Sequence, residues 1–123
     1  DTAGAGAFDI VMRETVVIPP HSLGRVRGYV VVEVPAGYML WVTDRSSLLK
    51  KKGLLITEGV IDQDYCGDGD ELLLQFYNPT DAPVTVERGE RLAQGVFLAI
   101  LKPEWEEVEV MNKADRGGFG STG

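Results

Sequence analysis

Cysteine is nearly absent from this chain. Cys66 stands alone among 123 residues, so no intrachain disulfide can form, and a reducing, cytoplasmic setting is expected. Histidine is equally scarce. His21 follows Pro19-Pro20 in an evident turn, and one His with one Cys makes no zinc site. Cations are outnumbered, with 12 Lys and Arg against 19 Asp and Glu and a net charge of −7. That balance argues against a nucleic-acid or anionic-membrane partner, because phosphate surfaces select for Lys/Arg stripes. No stretch approaches the ~20 apolar residues of a membrane span, and no basic-then-apolar leader pattern is expected here. No internal repeat is found.

What remains is ordinary globular composition, 44% hydrophobic and 25% charged, at the length of one domain. A domain this small buries a modest fraction of its surface, and oligomerisation is a common remedy. If a polyphosphate binds so acidic a chain, placed arginines, backbone N–H groups or a metal must supply local positive charge.

The dominant pattern is short β-branched runs broken by Gly, Pro and Asp. They are Val16–Ile18, Val30–Val34, Met39–Val42, Leu72–Tyr77, Val84–Val86, Val96–Leu101 and a polar-edged Glu106–Val110. Many short strands with turn residues between them predict an all-β sandwich, jelly roll or barrel. One segment, 46–52, reads as a short helix, with Ser46 as N-cap, lysines in the last turn and Gly53 as stop. Arg45 and the two serines make its start a candidate anion site, although a capped connector has the same pattern.

Three constellations carry candidate chemistry. The densest is Gly59 through Glu71. A calcium loop is excluded, since counting from Asp62 places Cys66 at position five and Leu73 where a bidentate Glu is required. On a strand, Asp62 and Asp64 share one face and Tyr65 takes the other. A carboxylate so placed suits a general base acting on water, while an acidic hairpin tip is the plainer explanation. The second is Arg116-Gly117-Gly118-Phe119-Gly120-Ser121-Thr122-Gly123. It lacks the Lys of a Walker loop, yet offers backbone N–H groups, two hydroxyls and a guanidinium to phosphates, and one aromatic suited to stacking on a base. A simple Gly-rich tail explains Phe119 badly. The third is Glu87 through Gly95, a turn entering an apolar strand, in which Gln94 needs a hydrogen-bond partner if buried.

Taken in order, these residues resemble the trimeric dUTP pyrophosphatase (dUTPase) family, which carries five short motifs. Gly6-Ala7-Phe8-Asp9-Ile10 is similar to the first and Asp44-Arg45-Ser46-Ser47-Leu48 to the second. Gly59-Val60-Ile61-Asp62-Gln63-Asp64-Tyr65-Cys66-Gly67 resembles the third, Gly89-Glu90-Arg91-Leu92-Ala93-Gln94 the fourth, and Gly118-Phe119-Gly120-Ser121-Thr122-Gly123 the fifth. The resemblance implies a jelly-roll-like distorted barrel over 1–113, a C-terminal lid at 114–123, and a homotrimer with active sites shared between subunits. It implies Mg²⁺-dependent hydrolysis of dUTP to dUMP and pyrophosphate. Asp62 would activate the water that attacks the α-phosphorus. Tyr65 would pack on the deoxyribose and exclude a 2′-hydroxyl, and the backbone of Gly59, Val60, Ile61 and Asp62 would read uracil. Arg45, Ser46, Ser47 and Gln94 would hold phosphates. Phe119 would cover the base, Gly120 would belong to the same substrate-binding loop, and Arg116, Ser121 and Thr122 would bind the terminal phosphates. Asp9 would help order the water shell of the Mg²⁺.

Two departures from the family pattern stand out. Asp68-Gly69-Asp70-Glu71 read as extra residues in the third-motif hairpin, where a bulge is expected, and Arg116 stands closer to Phe119 than the family spacing. The related dCTP deaminases are the nearest rival, but their deaminating members carry Glu where Gln75 stands, and Gln cannot shuttle a proton. A silent nucleotide-binding β-trimer on the same scaffold is the alternative of a different class.

Overall fold

The computed structural model describes residues 6–120. Nine strands and one helix follow in order: β1 (Ala7–Val11), β2 (Val16–Ile18), β3 (Ser22–Arg27), β4 (Tyr38–Asp44), α1 (Ser47–Lys52), β5 (Leu55–Ile56), β6 (Gly59–Ile61), β7 (Leu73–Asn78), β8 (Val84–Val86) and β9 (Arg91–Ala99). They assemble into a four-stranded sheet ordered β1-β9-β4-β6, a three-stranded sheet ordered β3-β7-β5 and a β2-β8 pair. Every ladder is antiparallel. The all-β, jelly-roll-like architecture is as the sequence predicts.

Side-chain alternation explains how the sheets close on one core. Along β7, Leu74, Phe76 and Asn78 are buried while the residues between them face outward, the period-two pattern of a half-buried strand. Leu40 and Val42 of β4, Val26 of β3, Ile18 of β2 and Val86 of β8 meet them in one cluster. The helix adds Leu48, its single buried residue, and closes at Gly53, whose φ of 69° is the left-handed conformation glycine tolerates best. Its lysines 50–52 sit at the carbonyl end as expected. Ser46 is the N-cap residue, yet its hydroxyl makes no capping bond.

Two expected strands do not form. Residues 30–34 keep the alternating burial of a strand, with Val34 buried and Val31 exposed, but join no ladder. Residues 106–110 carry no strand, and every described residue from Leu101 onward is exposed, Trp105 at 93%. A strand needs a neighbour for its N–H and C=O groups; residues 30–34 have one such bond, from the Leu72 N–H to the Val30 carbonyl at 2.8 Å, too little for a ladder, and residues 106–110 have none among the described residues. The hairpin after β6 also differs from expectation. The strand ends at Ile61, and Asp62–Tyr65 is a turn closed by the Tyr65 N–H donating to the Asp62 carbonyl at 3.2 Å. The four extra residues form a second turn, not a bulge, in which the Asp70 N–H donates to the Gly67 carbonyl at 2.9 Å.

Asn78 is the buried polar pivot. Its amide N–H groups donate to the carbonyls of Ile18 (3.1 Å), Pro19 (3.2 Å) and Ala82 (2.8 Å), and its oxygen accepts from the Thr80 N–H (2.9 Å) and hydroxyl (2.6 Å). This ties the β2–β3 turn to the β7–β8 turn. Asn78→Ala leaves several buried groups unpaired and is expected to cost about 2–4 kcal/mol in urea denaturation; a change under about 0.5 kcal/mol would remove the pivot role.

Candidate active site

The central strands of the larger sheet bring three of the sequence constellations together. Gln94 of β9 pairs with Asp9 of β1 on one side and Thr43 of β4 on the other. Its side-chain amide donates to the Asp44 carbonyl at 2.9 Å, which supplies the partner expected for it. Immediately beyond β4, the Arg45 N–H donates to the Leu92 carbonyl at 3.2 Å, so the backbone of β9 fixes where this residue leaves the sheet. The Arg45 guanidinium reaches the Asp9 carboxylate at 3.2 Å and the Arg91 carbonyl at 3.3 Å. Thr43, nearly buried, holds its hydroxyl oxygen 3.0 Å from the Glu58 carboxylate and 3.1 Å from that of Asp44.

Beside this cluster lies a depression of about 380 Å³ lined by Arg45, Ser47, Lys51, Gly89, Glu90, Arg91 and Leu92. Three cations share one hollow of an acidic protein, which makes it the natural place for phosphates. Ser47 and Lys51 face it together because residues four apart lie on one side of a helix. The sequence reading named Arg45 and Ser47 but missed Lys51 and Arg91; the i, i+4 spacing from Ser47 was the available signal for Lys51. Ser46 is exposed at the start of α1.

The third-motif residues occupy a different place. β6 is an edge strand, bonded only to β4, with Ile61 opposite Leu40 and Gly59 opposite Val42. An edge strand offers one row of backbone N–H and C=O groups to a ligand, as it would to another strand. Asp62 follows directly. With Asp64 it lines a depression of about 330 Å³ together with Gln63, Ile100 and Lys102. The two carboxylates thus share a hollow as expected, although they project from a turn. Tyr65 is half-buried, and its hydroxyl donates to the Glu71 carbonyl at 3.0 Å.

The two hollows are well separated. Asp62 adjoins the residue opposite Leu40, and Arg45 lies five positions further along from Leu40, roughly 17 Å at about 3.4 Å per residue. One chain therefore does not bring the carboxylate and the cations onto a common phosphorus. Arg116, Phe119 and Gly120 are exposed and line neither hollow, while Ser121 and Thr122 lie outside the described residues. Cys66 is exposed, and His21 pairs on the surface with Asp81 at 2.7 Å. No described helix is long and apolar enough to cross a membrane.

A further polar cluster escaped the sequence reading. The Arg27 guanidinium donates to Glu71 at 2.8 Å, and Glu14 accepts from the Arg27 N–H at 2.7 Å and the Tyr29 hydroxyl at 3.0 Å. These bonds raise Arg27 above its ordinary value through Glu71, lower Glu14 through the Arg27 N–H and raise Tyr29 through Glu14. Its members come from three separate stretches of the chain, around residues 14, 27–29 and 71, so no local motif announces it.

The chain is similar to known proteins along nearly its whole length. The dUTPase family model matches residues 1–123. A deoxyuridine 5'-triphosphate nucleotidohydrolase of Lactococcus lactis is 38% identical over 99% of this chain and 84% of its own length. One of Helicobacter pylori is 38% identical over 99% of this chain and 85% of its own length. Among solved structures, the Staphylococcus bacteriophage 80alpha dUTPase with dUPNHPP superposes with a TM-score of 0.89 at 28% identity, covering 100% of this chain and 89% of its own. The Streptococcus mutans dUTPase superposes at 0.79 with 34% identity, covering 85% and 86%. A mutant dUTPase of phage phi11, solved to describe coordination of a structural Mg(II) ion, gives 0.80 at 27% identity, covering 90% and 88%. Matched by the family model from end to end and by relatives of this identity and coverage, the chain belongs to the dUTPase family.

Proposed function

We propose that the chain is a dUTP diphosphatase, hydrolysing dUTP to dUMP and pyrophosphate as a homotrimer whose active sites are shared between subunits. The observation that carries this reading is the separation of an exposed carboxylate, on the turn that follows an edge strand, from a cation-lined hollow in the same chain. Each is half of a hydrolytic site, and a neighbouring copy supplies the missing half. Members of the same family hydrolyse deoxyuridine 5'-triphosphate by name.

In the proposed site Asp62 takes a proton from a water as its oxygen attacks the α-phosphorus, and the bridging oxygen leaves with the pyrophosphate. Arg45, Ser46, Ser47 and Gln94 of another copy grip the phosphates. The outward backbone edge of Gly59–Asp62 reads the uracil, and the Tyr65 ring packs on the deoxyribose. Residues 114–123 close as a lid, with Phe119 over the base beside Gly120, and with Arg116, Ser121 and Thr122 at the terminal phosphates.

The donor set fits Mg²⁺. Among the described residues no three His, Cys, Asp or Glu side chains form a metal cage, but Asp9 offers a carboxylate one-third exposed at the cation-lined side. Mg²⁺ characteristically keeps several waters and binds one or two carboxylates plus substrate phosphates. Asp9 would hold it through water, and the ion would neutralise charge on the phosphates. The deaminase alternative gains no support, because Gln75 lies in the β3-β7-β5 sheet and lines neither hollow.

A panel of deoxynucleoside triphosphates with Mg²⁺ tests the activity. Pyrophosphate and monophosphate are expected from dUTP, and Asp62→Ala is expected to lower kcat by at least about 10²–10⁴-fold with less effect on binding. An unchanged kcat removes Asp62 from the mechanism. Deleting residues 116–123 is expected to leave a folded trimer by sedimentation with severely reduced turnover; loss of the trimer would make the tail structural instead.

A further inference from the structure

The four extra residues of the third-motif hairpin end in Glu71, a member of the molecule's second polar cluster that uses both its side chain and its backbone. Glu71 accepts the Arg27 Nε–H at 2.8 Å with one carboxylate oxygen and the Tyr29 backbone N–H at 2.9 Å with the other. Its carbonyl accepts the Tyr65 hydroxyl at 3.0 Å. The carboxylate is only 21% exposed although its partner Arg27 is 56% exposed. The next residue is held as firmly, since the Leu72 N–H donates to the Val30 carbonyl at 2.8 Å and the Gly28 N–H donates to the Leu72 carbonyl at 2.7 Å.

The opposing segment is shaped to receive this anchor. A Cβ on Gly28 would lie 2.5 Å from the Leu72 carbonyl oxygen, so the two backbones pass at a distance only glycine allows. Tyr29 is held at a φ of 53°, a left-handed conformation that costs about 1 kcal/mol or more in a bulky residue. Glu71 engages its N–H, Glu14 its hydroxyl, and the Arg27 guanidinium carbon stands 4.5 Å from its ring centroid. On the other side, Gly67 and Asp70 exchange bonds of 2.9 and 3.1 Å, which makes residues 67–70 a closed link between Tyr65 and Glu71.

We propose that Glu71 is a positioning residue for sugar selectivity, and that residues 68–71 are present to deliver it to the Arg27–Tyr29 cluster. This rests on the reading of Tyr65 given above. Excluding a 2′-hydroxyl is a steric task, and a ring excludes one oxygen atom only if it cannot move aside. Tyr65 has a ring on the sugar side and a hydroxyl at its far end. Fixing that hydroxyl to a carbonyl that is itself pinned by a salt bridge and three backbone bonds removes the ring's freedom to yield. A cluster that merely stabilised the fold would affect both nucleotides alike.

The test compares kcat/KM for dUTP and UTP, together with Kd for dUpNHpp, in wild type, Glu71→Ala, Glu71→Gln, Tyr65→Phe and the Glu71→Ala/Tyr65→Phe pair. A misplacement of about 1 Å can cost on the order of 100-fold, so the dUTP-over-UTP ratio is expected to fall about 10–100-fold in Glu71→Ala. Tyr65→Phe is expected to match it, and the double variant to lose nothing further. Glu71→Gln, which keeps an acceptor for the Tyr29 N–H, should recover part of the ratio. A Glu71→Ala protein whose two kcat/KM values fall by the same factor, or stay unchanged, overturns the inference. If Glu71→Ala fails to fold, Tyr65→Phe decides alone, and an unaltered ratio overturns it. Wild-type protein that releases no pyrophosphate from dUTP overturns the functional reading and this inference with it.

Discussion

The register of β9 between β1 and β4 is the constraint on which the rest depends. An antiparallel ladder fixes which residues face each other, and a one-residue slip would turn every side chain to the opposite face. Here the register puts Asp9, Gln94 and Thr43 in one row across three strands. Arg45 then leaves the sheet where its guanidinium meets Asp9 and its backbone meets Leu92. Burial of Leu92, Ala93 and Leu40 makes the register costly to change. The cation-lined hollow is a consequence of packing before it is a feature of chemistry.

The same sheet sets the limits of a single chain. β4 is bonded on both edges, to β9 and to β6, and therefore carries the cationic cluster at one end and the third-motif hairpin toward the other. No rotamer closes a gap of roughly 17 Å along a strand. The proposed assembly answers this with symmetry, a closed ring in which each copy lends its hairpin to a neighbour. It would also offer a partner to the strand-like segment 106–110, which has none among the described residues, and a covering for apolar residues such as Trp105 and Leu101 that stand almost fully exposed in one chain.

What was legible in the sequence follows from what is local. Short β-branched runs between turn residues announced β2, β4, β7, β8 and β9, and Ser46 through Gly53 announced the helix within a residue, whereas β1, β3 and β5 lack such a run and were not expected as strands. At Glu106–Val110 the strand pattern meets no backbone partner among the described residues, and no strand forms. At Asp62–Tyr65 the sequence left a strand and an acidic hairpin tip both open, and a single N–H to carbonyl bond decides for the turn, where Asp is favoured. Arg45, Gln94 and Asp9 were legible as members of motifs. Their mutual contact was not, since it depends on register across three strands. The Glu14–Arg27–Tyr29–Glu71 cluster, whose outer members stand 57 positions apart in the numbering, left no local trace at all.

Subunit complementation tests the shared site most directly. Asp62→Ala and Arg45→Ala chains, each nearly inactive alone, are mixed in equal amounts and reassembled, and dUTP hydrolysis is measured per site. If the carboxylate and the guanidinium come from different copies, about one site in four receives both intact, and activity rises to roughly a quarter of the wild-type level. Activity no greater than the sum of the two variants measured separately would contradict the account.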